Sequence, residues 1–125
     1  MNKLEIKETT NTPYVLFDHE SKIFKIEGKS FPEDNKEFYS PILKWLEEYK
    51  NTKPDTFELK INLYYLSSSS VISIKQILMK VSEYKNLGTK ISIVWCYDED
   101  DDDIKKTGED YMEITKLHFE FQENE

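Results

Sequence analysis

The sequence changes its hydrophobic period abruptly at four consecutive serines, Ser67–Ser70. Before them, Phe57, Leu59, Ile61 and Leu63 alternate with Glu58, Lys60 and Asn62. That is the two-residue period of a strand with one apolar and one polar face. After them, Val71, Ile74, Ile77, Leu78, Val81 and Tyr84 recur at helical spacing. A strand that passes straight into a helix commits the chain to a crossover connection, and hence to at least partly parallel pairing with right-handed crossovers. The polar strand face limits the layering, because a sheet covered by helices on both sides needs strands that are apolar throughout.

The remaining elements follow from the same periodicities. Thr12–Asp18 and Lys22–Gly28 are short and apolar, and the polar stretch Asp18-His19-Glu20-Ser21 joins them as a hairpin turn. Phe38, Ile42, Trp45, Leu46 and Tyr49 share one side of a helix, with Lys44, Glu47 and Glu48 on the other. Pro41 fits best in a first turn, which predicts Ser40 as the N-cap; a start near Asn35 predicts a kink at Pro41 instead. The helix after the serines is expected to run to Leu87 and stop at Gly88. Ile91, Ile93, Trp95 and Tyr97 alternate with Ser92, Val94 and Cys96 as a strand, and a short helix is expected between Asp103 and Ile114. A last strand sets Leu117, Phe119 and Phe121 against His118, Glu120 and Gln122. The order is ββαβαβαβ, and one-sided strands make it a two-layer α/β sandwich with a mixed sheet of about five strands and helices mainly on one face. No linker-like shift in composition and no repeat divides the chain, so residues 1–125 read as one domain.

Composition removes several classes of function. Aromatic residues make up 14% of the chain, which places it among folded rather than disordered proteins despite a mean hydropathy of −0.71. A net charge of −8 argues against nucleic acid as a partner. The lone cysteine, Cys96, excludes a disulfide framework and fits a reducing compartment. The charged N-terminus has no signal-peptide core and no apolar run approaches a membrane span, so the expected location is the cytoplasm, without membrane insertion.

Two segments carry candidate chemistry. Ser67–Ser70 lie where backbone N–H groups are unpaired and the helix dipole is positive. Their hydroxyls suit either a helix cap or a regulatory phosphosite. A nucleophilic serine is disfavoured, because Gly-x-Ser-x-Gly is absent and only His19 and His118 are available as bases. In the acidic run, Asp98, Asp100, Asp102 and Glu109 reproduce the 1, 3, 5, 12 spacing of a calcium loop. The match fails at its sixth position, where Asp103 replaces the turn glycine, and at the hydrophobic eighth, which is Lys105. A solvated loop opening a helix is therefore favoured, with a negative patch for a basic partner as a further reading. Cys96, Trp45 and Trp95 are assigned to the core. Neither histidine has metal-ligand company, and Gly28-Lys29-Ser30 lacks the upstream glycine of a phosphate loop.

Several segments together resemble the SiaC-like family of bacterial regulatory phosphoproteins. They are Thr12-Pro13-Tyr14-Val15-Leu16-Phe17-Asp18, Phe38-Tyr39-Ser40-Pro41-Ile42-Leu43-Lys44-Trp45-Leu46, Tyr65-Leu66-Ser67-Ser68-Ser69-Ser70, Trp95-Cys96-Tyr97-Asp98 and Gly108-Glu109-Asp110-Tyr111. The resemblance implies a variant of the STAS fold of anti-anti-sigma factors, no enzymatic activity, no cofactor, and a part in partner switching. It further implies a protein serine/threonine kinase and a PP2C-type phosphatase acting on a hydroxyl at the strand-to-helix junction. The unmodified form is then expected to engage a downstream target, a diguanylate cyclase in biofilm-regulating systems that use cyclic di-GMP. By position, the family pattern Phe-Asn-Thr-Ser-Ser-Ser-Lys falls on Tyr65 to Val71, which makes Ser67 the modified residue and Ser68 the runner-up. Leu66 stands for the family asparagine and Val71 for its lysine; Leu66, Ser67, Ser68, Ser69, Ser70 and Val71 are the expected partner contacts. The alternatives are a constitutive interaction domain whose serines only cap a helix, and a calcium-responsive domain.

Overall fold

A computed structural model describes residues 1–125. The chain forms strands β1 (Leu4–Ile6), β2 (Tyr14–Asp18) and β3 (Ile23–Ser30), then helix α1 (Asn35–Lys50) and β4 (Thr56–Leu66). Helix α2 (Ser68–Ser82), β5 (Lys90–Tyr97), α3 (Asp102–Thr115) and β6 (Phe119–Glu123) follow. One mixed sheet takes the strands in chain order, β1-β2-β3-β4-β5-β6. The first three strands pair antiparallel, and β3 to β6 pair parallel.

That order explains the layering. Right-handed crossovers that always step to the next strand in the same direction place every helix on the same face. The two-layer α/β expectation therefore holds, with six strands in place of about five. The extra strand, β1, has only three residues between charged neighbours and sits at the sheet edge, where short strands are the rule. An open α/β sheet usually binds its ligand where the strand order reverses, and this sheet has no reversal.

The apolar strand positions meet the helices as the alternation requires. Phe57, Leu59, Ile61 and Leu63 of β4 are buried beneath Ile42, Trp45, Leu46 and Tyr49 of α1 and Ile74, Ile77, Leu78 and Val81 of α2. Trp45 and Trp95 belong to this core, as the sequence predicts. Tyr39, outside the predicted α1 stripe, is buried, whereas Phe38 is only half-buried. On the helix-free face, Val94 and Cys96 of β5, an interior strand flanked by β4 and β6, are also buried. Burial pushes the Cys96 thiol above its usual range; nearby Lys60 lowers it and Glu27 raises it further. Cys96 thus remains a neutral packing residue.

The start of α1 corrects one expectation. Asp34, not Ser40, is the N-cap, and its carboxylate accepts from the Glu37 backbone N–H at 3.0 Å. The helix runs continuously through Pro41, which lies on the solvent side. There, water can satisfy the carbonyl that proline leaves without a donor. Ser40 instead donates to the Lys36 carbonyl at 2.5 Å. Helix α2 ends at Ser82 and tightens into a 3-10 turn over Glu83–Leu87, closed by Gly88 in the left-handed region at φ 79°. Helix α3 is longer than predicted, and no helix is long and apolar enough to cross a membrane.

A hydroxyl cluster at the β4–α2 junction

The carboxyl ends of β3 and β4 lie side by side and lead into α1 and α2, which brings the two helix starts together. The Ser67 N–H donates to the Ser30 carbonyl at 2.9 Å, continuing the β3–β4 pairing to the last residue before α2. Ser67 is extended, with φ −68° and ψ 163°, and is the N-cap. Its Oγ accepts from the Ser70 backbone N–H at 3.1 Å, while its carbonyl takes the first helical bond from Val71 at 3.0 Å. The cap reading of the serines is thus realised by Ser67.

The other serines divide by position. Ser68 and Ser69 are exposed on the first turn, and Leu66 and Val71 are half-buried beside them. Ser70, expected among the partner contacts, is instead fully buried. Its Oγ lies 2.7 Å from Ser30 Oγ, donates to Asn35 Oδ1 at 3.1 Å and accepts from Ser67 Oγ at 3.0 Å. A side chain enclosed on these three sides has no surface to offer a partner. Tyr39 closes the cluster from α1, its hydroxyl 2.5 Å from Ser30 Oγ.

Sequence reasoning missed Ser30, Asn35, Tyr39 and Ser73 as neighbours of this site. They come from other elements, and only the fold brings them in. Asn35 and Ser73 line a cleft of about 420 Å³ between α1 and α2, together with Ser69 and Ile72. Large apolar side chains stand exposed nearby: Tyr65 (51%) against Phe31 (41%), ring centres 5.5 Å apart, and Ile72 (60%) on α2. The first turns of α1 and α3 carry acidic residues, Glu37 in one and Asp102 and Asp103 in the other; that of α2 carries none. The positive end of its dipole has no carboxylate of its own to complement it.

The acidic run is built as a helix start. Asp101 is the N-cap of α3 and accepts from the Ile104 N–H at 3.0 Å, while Asp102 and Asp103 occupy the first turn. Asp98 closes the preceding turn and accepts from Asn124 Nδ2 at 3.0 Å. Asp98, Asp100, Asp102 and Glu109 are all exposed, and no three His, Cys, Asp or Glu side chains gather as a metal-holding group. Asp101→Ala is expected to cost about 1 kcal/mol and Asp101→Asn only a few tenths, read from urea melts, because asparagine keeps the cap. Equal losses would remove the capping role. His19 Nδ1 lies 2.7 Å from the Tyr49 hydroxyl, and exposed His118 lies 3.6 Å from Glu120.

Two segments of the sequence resemblance meet in the core beside this junction. The Trp95 indole donates to the Ile104 carbonyl at 2.9 Å and packs edge-on against Tyr111 at 5.5 Å. Gly108 lies against the same ring. The Tyr111 hydroxyl donates to the Val71 carbonyl at 2.6 Å and so ties α3 to the first turn of α2.

Known proteins are similar to this chain over nearly its whole length. The model of the SiaC family of regulatory phosphoproteins matches residues 6–124. A Pseudomonas aeruginosa protein described only as uncharacterized is 27% identical over 122 residues, 98% of this chain and 97% of its own. The solved structure of SiaC of Pseudomonas aeruginosa superposes with a TM-score of 0.90 at 27% identity, covering 99% of this chain and all of that one. The crystal structure of the Pseudomonas aeruginosa diguanylate cyclase SiaD in complex with its activator SiaC matches with a TM-score of 0.89 at 26% identity, covering 97% of this chain and 99% of that one. The chain belongs to the SiaC family of regulatory phosphoproteins.

Proposed function

We propose that Ser67 is the phosphoacceptor of a partner switch, with residues 1–125 acting as a single non-enzymatic binding domain in the cytoplasm. A protein serine/threonine kinase adds the phosphate and a PP2C-type phosphatase removes it. The unmodified form binds the target, for which the solved complex of SiaC with SiaD supports a diguanylate cyclase. The observation that carries the reading is the setting of the Ser67 hydroxyl. It caps a helix with no acidic residue in its first turn, beside exposed Phe31, Tyr65 and Ile72.

Phosphate suits this place on both counts. It brings roughly −1.5 to −2 charges to the positive end of α2, where they stabilise the helix. The same charge beside an apolar contact surface would have to be stripped of water when a partner docks, which opposes binding. One modification therefore leaves the domain folded while making its surface unfit for the target.

Four forms of residue 67 test this. Ser67→Asn keeps a cap without charge and should bind a candidate cyclase as the wild type does. Ser67→Ala should also bind, although the lost cap lowers stability by about 1 kcal/mol. Ser67→Asp keeps the cap and the fold but should bind at least about tenfold more weakly, ~1.4 kcal/mol. Enzymatic phosphorylation followed by peptide mapping should place the phosphate on Ser67 and reproduce the loss. Equal affinities for the Asn, Asp and phosphorylated forms, measured by calorimetric titration, reduce Ser67 to a structural cap. Phosphate found on the more exposed Ser68 moves the switch by one residue.

A further inference from the structure

The Ser67 hydroxyl is one end of a hydrogen-bonded chain whose proton directions are fixed by counting. A serine hydroxyl has one proton to donate and two lone pairs to accept with. Ser70 gives its proton to Asn35 Oδ1 at 3.1 Å, so its lone pairs take the protons of Ser67, at 3.0 Å, and Ser30, at 2.7 Å. Having donated to Ser70, Ser30 accepts from the Tyr39 hydroxyl at 2.5 Å. Burial raises the Tyr39 phenol above its ordinary range, while its hydrogen bond with Ser30 and the nearby Ser70 hydroxyl lower it in part, and it keeps its proton at neutral pH. Ser30 and Ser70 are both 0% exposed, so bulk water cannot replace a missing partner.

We infer that phosphorylation of Ser67 is transmitted to Asn35, the first residue of α1, by reversal of the Ser70 hydroxyl. The inference rests on the reading of Ser67 as phosphoacceptor. In the transfer, an O–P bond forms at Ser67 Oγ and the bond from the γ-phosphorus of a nucleoside triphosphate to its bridging oxygen breaks. The nucleoside diphosphate leaves and the Ser67 hydroxyl proton passes to solvent. Ser67 can then only accept, and two acceptor oxygens face each other where a donor and an acceptor stood. The remedy nearest at hand is the Ser70 proton, which turns from the neutral Asn35 amide to the phosphate. A hydrogen bond to an ionised acceptor is roughly twice as strong as a neutral one.

Asn35 Oδ1 then keeps only Ser73 Oγ, 3.4 Å away and shared with the Ser69 carbonyl at 3.2 Å. Asn35, Ser69 and Ser73 line the α1–α2 cleft, so the modification alters that cleft as well as the charge at Ser67. Ser70 and Asn35 are positioning residues in this scheme; neither touches the transferred phosphoryl group before transfer.

The test is nuclear magnetic resonance on 15N-labelled protein carrying genetically encoded phosphoserine at position 67, which makes it independent of the natural kinase. The Asn35 side-chain amide peaks, assigned by their loss in Asn35→Ala, should move by several linewidths on phosphoserine incorporation. In a Ser70→Ala background the same incorporation should leave them within about one linewidth. If Ser70→Ala does not fold, Ser70→Cys, whose thiol is a weak donor, should at least halve the movement. Unmoved peaks in the wild-type background, or equal movement with and without the Ser70 hydroxyl, overturn the relay. Cyclase affinity of the phosphoserine protein is measured separately. Lost affinity with an unmoved Asn35 leaves the switch and removes the relay. A moved Asn35 with unchanged affinity does the reverse.

Discussion

Gly108→Ala should lower the stability of the domain by about 2 kcal/mol and its melting temperature by roughly 5–10 °C. A Cβ at this position would stand 2.5 Å from Cδ1 and from Nε1 of Trp95, and 2.7 Å from Cγ. The ring has little room to retreat: it is 1% exposed, bonded to the Ile104 carbonyl and flanked by Tyr111 and Phe119. Forcing a methyl group into such packing costs about 1–3 kcal/mol. Alanine recovers ~1 kcal/mol through its better helix propensity, so the overpacking loss must be near the top of its range to leave that net figure. A double-mutant cycle separates the two contributions. In a Trp95→Leu background the steric conflict is gone, and Gly108→Ala should be neutral or stabilising, a coupling of 1 kcal/mol or more. A melting temperature for Gly108→Ala at or above the wild type would show that the indole can move aside.

Phe57→Ala should cost more, about 3–5 kcal/mol in urea denaturation. The Phe57 ring centre lies 4.7 Å from Phe24, 5.3 Å from Tyr84 and 6.0 Å from Tyr49, so one side chain fills the space between β3, the 3-10 turn after α2 and α1. The Tyr84 hydroxyl is already anchored to the Leu46 carbonyl at 2.6 Å, which hinders it from collapsing into the hole. Against a typical total of 5–15 kcal/mol, the loss brings a domain of this size near its unfolding threshold. Phe57→Leu keeps most of the volume and should lose under about 1.5 kcal/mol. A loss that small for Phe57→Ala would mean that the surrounding rings close the cavity.

The elements legible in the sequence are those whose burial is periodic over many residues. Phe57 to Leu63 alternate because one sheet face meets helices and the other does not, and that same fact gave the two-layer architecture. The short edge strand β1 has too few residues for a period to appear. The start of α1 turned on a choice between Ser40 as the N-cap and a start near Asn35, and Pro41 favoured the wrong one because its solvent-facing placement is a tertiary fact. At the candidate site, Ser67 was legible from the change of period and the family pattern. Asn35 and Ser30 were not, because they reach Ser70 across 35 and 40 residues of chain, and Tyr39 joins only through Ser30. Ser70 was expected among the partner contacts, yet it stands four and seven residues before the buried Ile74 and Ile77. Helix geometry alone turns it inward.

The match between strand order and chain order bears on how the domain assembles. Each strand from β2 onward adds to an edge made by the strand before it, so no pairing has to wait for a later segment. Contacts that close short stretches of chain favour fast folding, and a parallel sheet built this way avoids its slowest requirement, the joining of distant strands. On the ribosome, the sheet can grow from its N-terminal hairpin while the rest is still being made. The hydroxyl cluster at the β4–α2 junction draws its members, Ser30, Asn35, Tyr39, Ser67 and Ser70, from segments made before α3 and β6, so its assembly needs neither.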